Sequence, residues 1–132
     1  MTMRKIKFRG MSTDSGKWLY GRFYVDEIVD EKTISQYTGL KDRDGREIYE
    51  DDILDFELLR GKKSRGCVEY SNKGARYVVP FQRGKYEKSL WHVCTFGNPV
   101  VIGNIYENPE LLEQEPPMPD LGLSALTGHD KE

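Results

Sequence analysis

Short alternations of apolar and polar residues, broken by glycine, recur along this chain, and no helical period of comparable length competes with them. A two-residue period puts successive side chains on opposite faces of an extended strand, so the pattern predicts a mainly β protein. It is clearest from Ile53, where Leu54, Phe56 and Leu58 point one way and Asp55 and Glu57 the other. Lys5 to Arg9 and Lys17 to Val25 read as earlier strands, joined by a turn at Asp14, Ser15 and Gly16. Thr33 to Tyr37 reads as a short strand that Glu47 to Tyr49 joins across Asp44-Gly45, a hairpin dipeptide because glycine takes positive φ without penalty. GKKSRG at Gly61 to Gly66 reads as a flexible basic loop before a strand at Cys67 to Tyr70. Asn72, Lys73 and Gly74 then turn the chain into Arg76 to Phe81. Leu90 to Phe96 and Val100 to Ile105 read as another hairpin around Gly97-Asn98-Pro99. Strands this short and numerous predict a small antiparallel barrel-like or sandwich core. A single helical turn follows near the C-terminus, over Pro109 to Leu112, with Asn108 as its N-cap.

With 132 residues, the chain suits one β domain over 1–113. Residues 114–132 read as a tail, flexible or docked on a neighbour, because Pro116, Pro117 and Pro119 interrupt regular hydrogen bonding. Leu121, Leu123 and Leu126 in that tail, with the aromatic strand around Tyr20 and Tyr24, point to a homo-oligomer. No apolar run approaches the roughly 20 residues that cross a bilayer, so no membrane partner is expected and the compartment is read as cytoplasmic. Cys67 and Cys94 are isolated, with only His92 and His129 as imidazole companions, which predicts free thiols rather than a four-ligand zinc site.

A net charge of −2 conceals four blocks: +5 over residues 1–25, −8 over 26–58, +7 over 59–92 and −6 over 93–132. Neighbouring antiparallel strands of opposite sign would neutralise one another. The acidic run Glu47, Glu50, Asp51, Asp52 and Asp55 has carboxylates enough for Mg²⁺. They lie along one turn and its outgoing strand, however, and read as a solvated acidic turn. An EF-hand fails because Leu40 stands where the first aspartate ligand belongs, and GKKSRGC lacks the Lys and Ser/Thr of a phosphate loop. On a strand, His92 and Cys94 would share a face about 7 Å apart, a weak nucleophile signal. Tyr106 is expected to pack under the helical turn and Glu107 to precede its cap. No catalytic residue, metal or cofactor is assigned.

Nucleic-acid binding has a physical case. Arg60, Lys62, Lys63 and Arg65 fall on one hairpin, Arg76, Arg83, Lys85 and Lys88 follow, and Tyr70, Tyr77, Phe81 and Tyr86 are interleaved. Cations would track phosphates while rings stack on bases. A pI near 5.8 and the adjacent acidic block oppose it.

IKFRG at Ile6 to Gly10, WLYG at Trp18 to Gly21, QYTGLKDRDGREIYEDDIL at Gln36 to Leu54 and VIGNIYENPELL at Val101 to Leu112 together resemble the YopX family of phage and prophage proteins. One departure is Asp51, where the family pattern usually has glycine; aspartate tolerates positive φ better than most residues. The resemblance implies a mostly β fold and a phage origin in a bacterial cytoplasm, and no established activity, cofactor or catalytic residue. The expected role is a non-enzymatic phage-encoded accessory protein that binds protein or self-assembles. The alternative is a nucleic-acid-binding protein using Arg60, Lys62, Lys63, Arg65, Tyr70 and Tyr77.

Overall fold

Asp42 shows how local chemistry sets this topology. In the computed structural model, which describes residues 5–21, 28–58 and 61–117, its Oδ1 accepts hydrogen bonds from the backbone N–H groups of Asp44 and Arg46, each at 2.9 Å. Gly45 completes the turn at φ 85°. This loop joins β3 (Val29–Lys41) to β4 (Glu47–Tyr49). The other Asp42 oxygen accepts from Val101 N at 3.0 Å, while Arg46 donates to Val101 O at 3.0 Å. One turn therefore forms a hairpin and also satisfies backbone groups of the distant strand β10 (Val100–Asn104).

The architecture is mainly β, as the alternation predicts, with a curled half-barrel sheet and a second sheet. The first sheet has the order β2-β1-β3-β4, where β1 is Phe8–Ser12 and β2 is Trp18–Gly21. The second runs β10-β5-β6-β8-β7, built from β5 (Asp52–Glu57), β6 (Lys63–Cys67), β7 (Glu69–Ser71) and β8 (Arg76–Phe81). Strand β9 (Tyr86–Ser89) pairs with the other side of β8. All pairings are antiparallel. The core lies where Leu54 and Phe56 of β5, Val79 and Phe81 of β8, and Val68 meet Ile48 and the helix α1 (Leu90–Phe96). Phe56 and Phe81 meet edge to face, 5.6 Å between centroids. Gly66 permits the β6–β8 approach, because a Cβ there would collide with the Pro80 carbonyl oxygen and lie 2.8 Å from Val79 Cγ1.

Several expectations change in detail. Leu90 to Phe96 is a helix, not a strand. Ser89 Oγ accepts from His92 N at 3.1 Å, Leu90 and Val93 are buried one turn apart, and Gly97 N–H closes on Val93 O at 2.7 Å. The presumed loop at Lys63 to Gly66 is strand, held by the full β5–β6 register from Ile53↔Cys67 to Glu57↔Lys63. Strand β3 extends well beyond Thr33–Tyr37, and β1 begins later than Lys5. Strand β5 is covered on both faces at its start, since Asp52, Ile53 and Leu54 are all buried. The C-terminal turn forms as α2 (Glu110–Glu113), but Asn108 does not cap it. Its Oδ1 instead accepts from Asn104 N at 3.3 Å, turning backwards to the loop after β10. Arg22 to Val25 of the expected second strand, with Tyr24, lie outside the described residues, as do Arg60 and 118–132 with Leu121, Leu123 and Leu126.

Candidate functional site

The acidic run is no solvated turn, because every one of its carboxylates is engaged. Glu47 receives Lys5 and Lys7, each at 3.0 Å, and the Tyr49 hydroxyl at 2.9 Å. Burial pushes its carboxyl up, but these bonds outweigh that and hold it at about 2. Glu50 accepts from Gln36 N at 2.8 Å, and burial raises its pKa. Asp51 sits at φ 72°, consistent with the glycine usual there, and accepts from the Tyr106 hydroxyl at 2.6 Å and Ser35 Oγ at 3.2 Å. Tyr106 therefore does more than pack under a turn. Glu107 accepts from Asn104 Nδ2 and Trp18 Nε1. Asp55 takes Arg65.

Asp52 is the deepest member. It accepts from Tyr49 N at 2.8 Å and pairs with Arg9 at 2.8 Å, and burial pushes its carboxyl up to about 6 against the opposing pull of Arg9. Arg9 is sandwiched: its guanidinium carbon lies 4.4 Å from the Trp18 ring centroid and 4.9 Å from that of Tyr49. The outer side of this pair forms the floor of an open cleft of about 440 Å³, shared by Lys7, Tyr20, Arg46, Glu47 and Val101. Sequence reasoning missed this centre. The FRG of β1 and the EDD after β4 are its components, and only the opposite charge of their blocks hinted that they meet.

The proposed basic hairpin is divided by the fold. Lys62 and Lys63 are exposed. Arg65 is not available: its Nε pairs with Asp55 at 2.6 Å, and its Nη1 donates to Leu111 O and Gln114 O. The antiparallel pair Gly66↔Phe81 puts the β8–β9 turn, with exposed Arg83 and Lys85, at the same end of the sheet as Lys62 and Lys63. Tyr70 and Tyr77 lie beyond Gly66 and Phe81, towards the other end, packed edge to face on each other at 5.2 Å. Phe81 is core and cannot stack on a base.

Helix α1 creates a second unforeseen feature. With Leu90 and Val93 turned inward, Trp91 and Phe96 face solvent, 60% and 64% exposed, and make an edge contact at 6.1 Å. The His92 ring lies 4.9 Å from Phe96. The helix also dissolves the Cys94–His92 pairing, because residues two apart project about 200° from each other. Burial pushes the Cys94 thiol up to about 11 and that of Cys67 up to about 12, the reverse of nucleophile activation. Both cysteines are free. Among the described residues, no three His, Cys, Asp or Glu side chains are placed to hold a metal ion, and no helix is long and apolar enough to cross a membrane.

Comparison with known proteins places this architecture. The crystal structure of protein EF1440 from Enterococcus faecalis is similar, with a TM-score of 0.56 and 24% identity over 83% of this chain and 99% of that one, a likeness of fold. None of the curated proteins searched matches the sequence. The family model described as YopX protein matches residues 5–113, which include β1 to α2 and the whole Arg9 centre. The chain belongs to the YopX family.

Proposed function

We propose that this chain is a non-enzymatic accessory protein of a phage or prophage, acting in the bacterial cytoplasm by self-assembly through α1. The observation that carries this reading is the exposed Trp91–Phe96 pair. Single exposed apolar residues are ordinary on a protein surface, but two large rings joined by a third, His92, on a seven-residue helix form a patch suited to burial. The occupant we assign is a second copy. Pro116 O accepts from Gln82 Nε2 in the β8–β9 turn, and β9 leads directly into α1. Residues 118–132, with Leu121, Leu123 and Leu126, continue from this point and at roughly 3.3 Å per residue have the reach to cover the ring face of a neighbour. Light scattering tests this. The intact protein is expected to be a dimer, and both a truncation after Pro117 and the double change Trp91→Ser, Phe96→Ser are expected to yield monomers. An intact protein that remains monomeric at high concentration overturns the reading.

A second reading rests on a separate observation, the cluster of Lys62, Lys63, Arg83 and Lys85 at one end of the second sheet, with Lys85 Nζ 5.6 Å from the Tyr86 ring centroid. These groups suit a nucleic-acid backbone. Fluorescence anisotropy with labelled single- and double-stranded DNA and RNA would then show affinity falling linearly in log salt, with a smaller slope when Lys62 and Lys63 become alanine.

A further inference from the structure

The cleft around Arg9 has properties that self-assembly through α1 leaves unused. It opens where the two sheets meet. Lys7 and Tyr20 come from the β1–β2 side, Arg46 and Tyr49 from the β4 hairpin, and Asp52 and Val101 from the second sheet. About 440 Å³ lies within the range of small-molecule sites.

Its charges are unequal. Both carboxylates are already answered, Glu47 by Lys5 and Lys7 and Asp52 by Arg9. Arg46 has no carboxylate partner among the described residues, and its one side-chain hydrogen bond goes to Val101 O. Three lining cations, Lys7, Arg9 and Arg46, therefore face two acids, Glu47 and Asp52. Arg9 itself is 7% exposed, and its buried Nε has no acceptor among the described residues. A buried donor left unanswered is costly, and because this Nε is sealed from the cleft, Arg9 acts there through its charge and not through a contact. Tyr20 stands at the mouth, 55% exposed, in edge contact with Tyr49 at 5.7 Å and with Lys7 Nζ 5.7 Å from its centroid.

We propose that this cleft binds a small organic oxyanion, a phosphate monoester or a carboxylate carried on a planar ring, with Arg46 and Lys7 meeting the anion and Tyr20 the ring. Arg9 forms the inner wall and supplies positive potential. The excess of one lining cation, Arg46, opposes a cationic ligand, and the tyrosines favour a ring over a bare ion.

The test uses the full chain and three probes: inorganic phosphate, adenosine monophosphate and benzoate, at constant ionic strength. Calorimetry and ¹H–¹⁵N shift mapping are expected to show saturable binding of a ring-bearing probe, with amide shifts confined to the neighbourhood of Lys7, Arg46, Tyr49 and Val101. Tighter adenosine monophosphate identifies a phosphate source, and tighter benzoate a carboxylate. Arg46→Gln should weaken binding at least tenfold, and Tyr20→Ala should weaken the ring-bearing probes more than inorganic phosphate. Lys73→Gln, an exposed lysine in the β7–β8 turn, should leave binding unchanged. Unaltered thermal melts for these surface variants show that the fold is kept. Absence of saturable shifts with all three probes overturns the proposal. So does equal weakening by Arg46→Gln and Lys73→Gln, which would indicate attraction by overall charge.

Discussion

Asp52 and Asp55 stand three residues apart on the same strand, and each holds an arginine, yet the two pairs are different devices. In the first, both side chains are almost sealed, with 7% of Arg9 and 3% of Asp52 exposed, and aromatic rings cover the guanidinium on two sides. In the second, 16% of Arg65 and 31% of Asp55 reach solvent, and the contact is two-pronged, Nε to Oδ1 at 2.6 Å and Nη2 to Oδ2 at 3.3 Å. Arg65 uses its Nη1 on Leu111 O and Gln114 O, whereas Arg9 Nε has no acceptor among the described residues. The sealed pair joins β1 of the first sheet to β5 of the second, so it fixes how the sheets meet. The open pair lies within one sheet and fastens the C-terminal segment onto it. Low dielectric makes the first sensitive to loss of a partner, and solvent softens the second.

The largest effect should follow from Arg9→Ala, which strands a buried carboxylate and empties the space between Trp18 and Tyr49. Removing one partner of a buried pair costs about 3–5 kcal/mol, measurable as a shift in the urea midpoint at pH 7. The loss should shrink as pH falls, since a protonated Asp52 no longer needs a cation. A loss near that of Arg65→Ala would erase the distinction between the pairs.

Titration sharpens the same contrast. Asp52 has a folded pKa of about 6 against an ordinary 3.8, so between those values the folded chain keeps a proton that the unfolded chain has released. Stability therefore falls as pH rises through this window, by on the order of 3 kcal/mol for about two units at 1.36 kcal/mol each. Glu47 behaves oppositely. Held at about 2 against 4.5, it contributes stability that is present above pH 4.5 and lost as pH falls towards 2. In melts recorded from pH 3 to 7, Asp52→Asn should remove the decline between pH 4 and 6, and Glu47→Gln should flatten the acid limb. An unchanged slope in Asp52→Asn would mean that the carboxylate is not desolvated.

How much of this was visible beforehand depends on range. The β3–β4 and β7–β8 hairpins were legible because their turns carry local chemistry, Asp44-Gly45 and Asn72-Lys73-Gly74. The positive φ of Asp51 was foreseeable from the glycine that the resemblance expects there. Helix α1 was not, because Leu90, His92 and Cys94 satisfy a two-residue period as well as Leu90 and Val93 satisfy a helical one, and only the Ser89 cap separates the two. The Arg9–Asp52 pair joins residues 43 positions apart, and nothing local distinguishes Asp52 from the more exposed carboxylates beside it. Its burial follows from β5 being covered on both faces, which depends on where β1 and β4 come to lie. The basic hairpin was legible as a cluster of charge but not in its use, because Arg65 turns to Asp55 across the β5–β6 register.

Arg65→Ala should cost less than Arg9→Ala, about 1–2 kcal/mol for a charged, partly exposed contact. Its distinctive consequence should be local. With the donors to Leu111 O and Gln114 O gone, hydrogen exchange at residues 111–115 should speed up while the amides of β5 and β8 stay protected. Uniform acceleration would show that this pair, too, supports the global fold.

The smallest effect belongs to Lys5→Ala, the outermost ion contact. Lys5 is 62% exposed at its side chain and shares Glu47 with Lys7, which is 27% exposed and the same 3.0 Å away. Glu47 also keeps the Tyr49 hydroxyl, so truncating Lys5 leaves no buried charge alone. An exposed pair of this kind contributes roughly 0.2–1 kcal/mol, and redundancy with Lys7 places Lys5→Ala at the lower end. The residual effect should vanish in about 1 M salt, where screening acts within about 3 Å, while that of Arg9→Ala should persist. Equal salt sensitivity in both variants would mean that the aromatic walls around Arg9 do not exclude solvent, and the contrast between sealed and open pairs would fail.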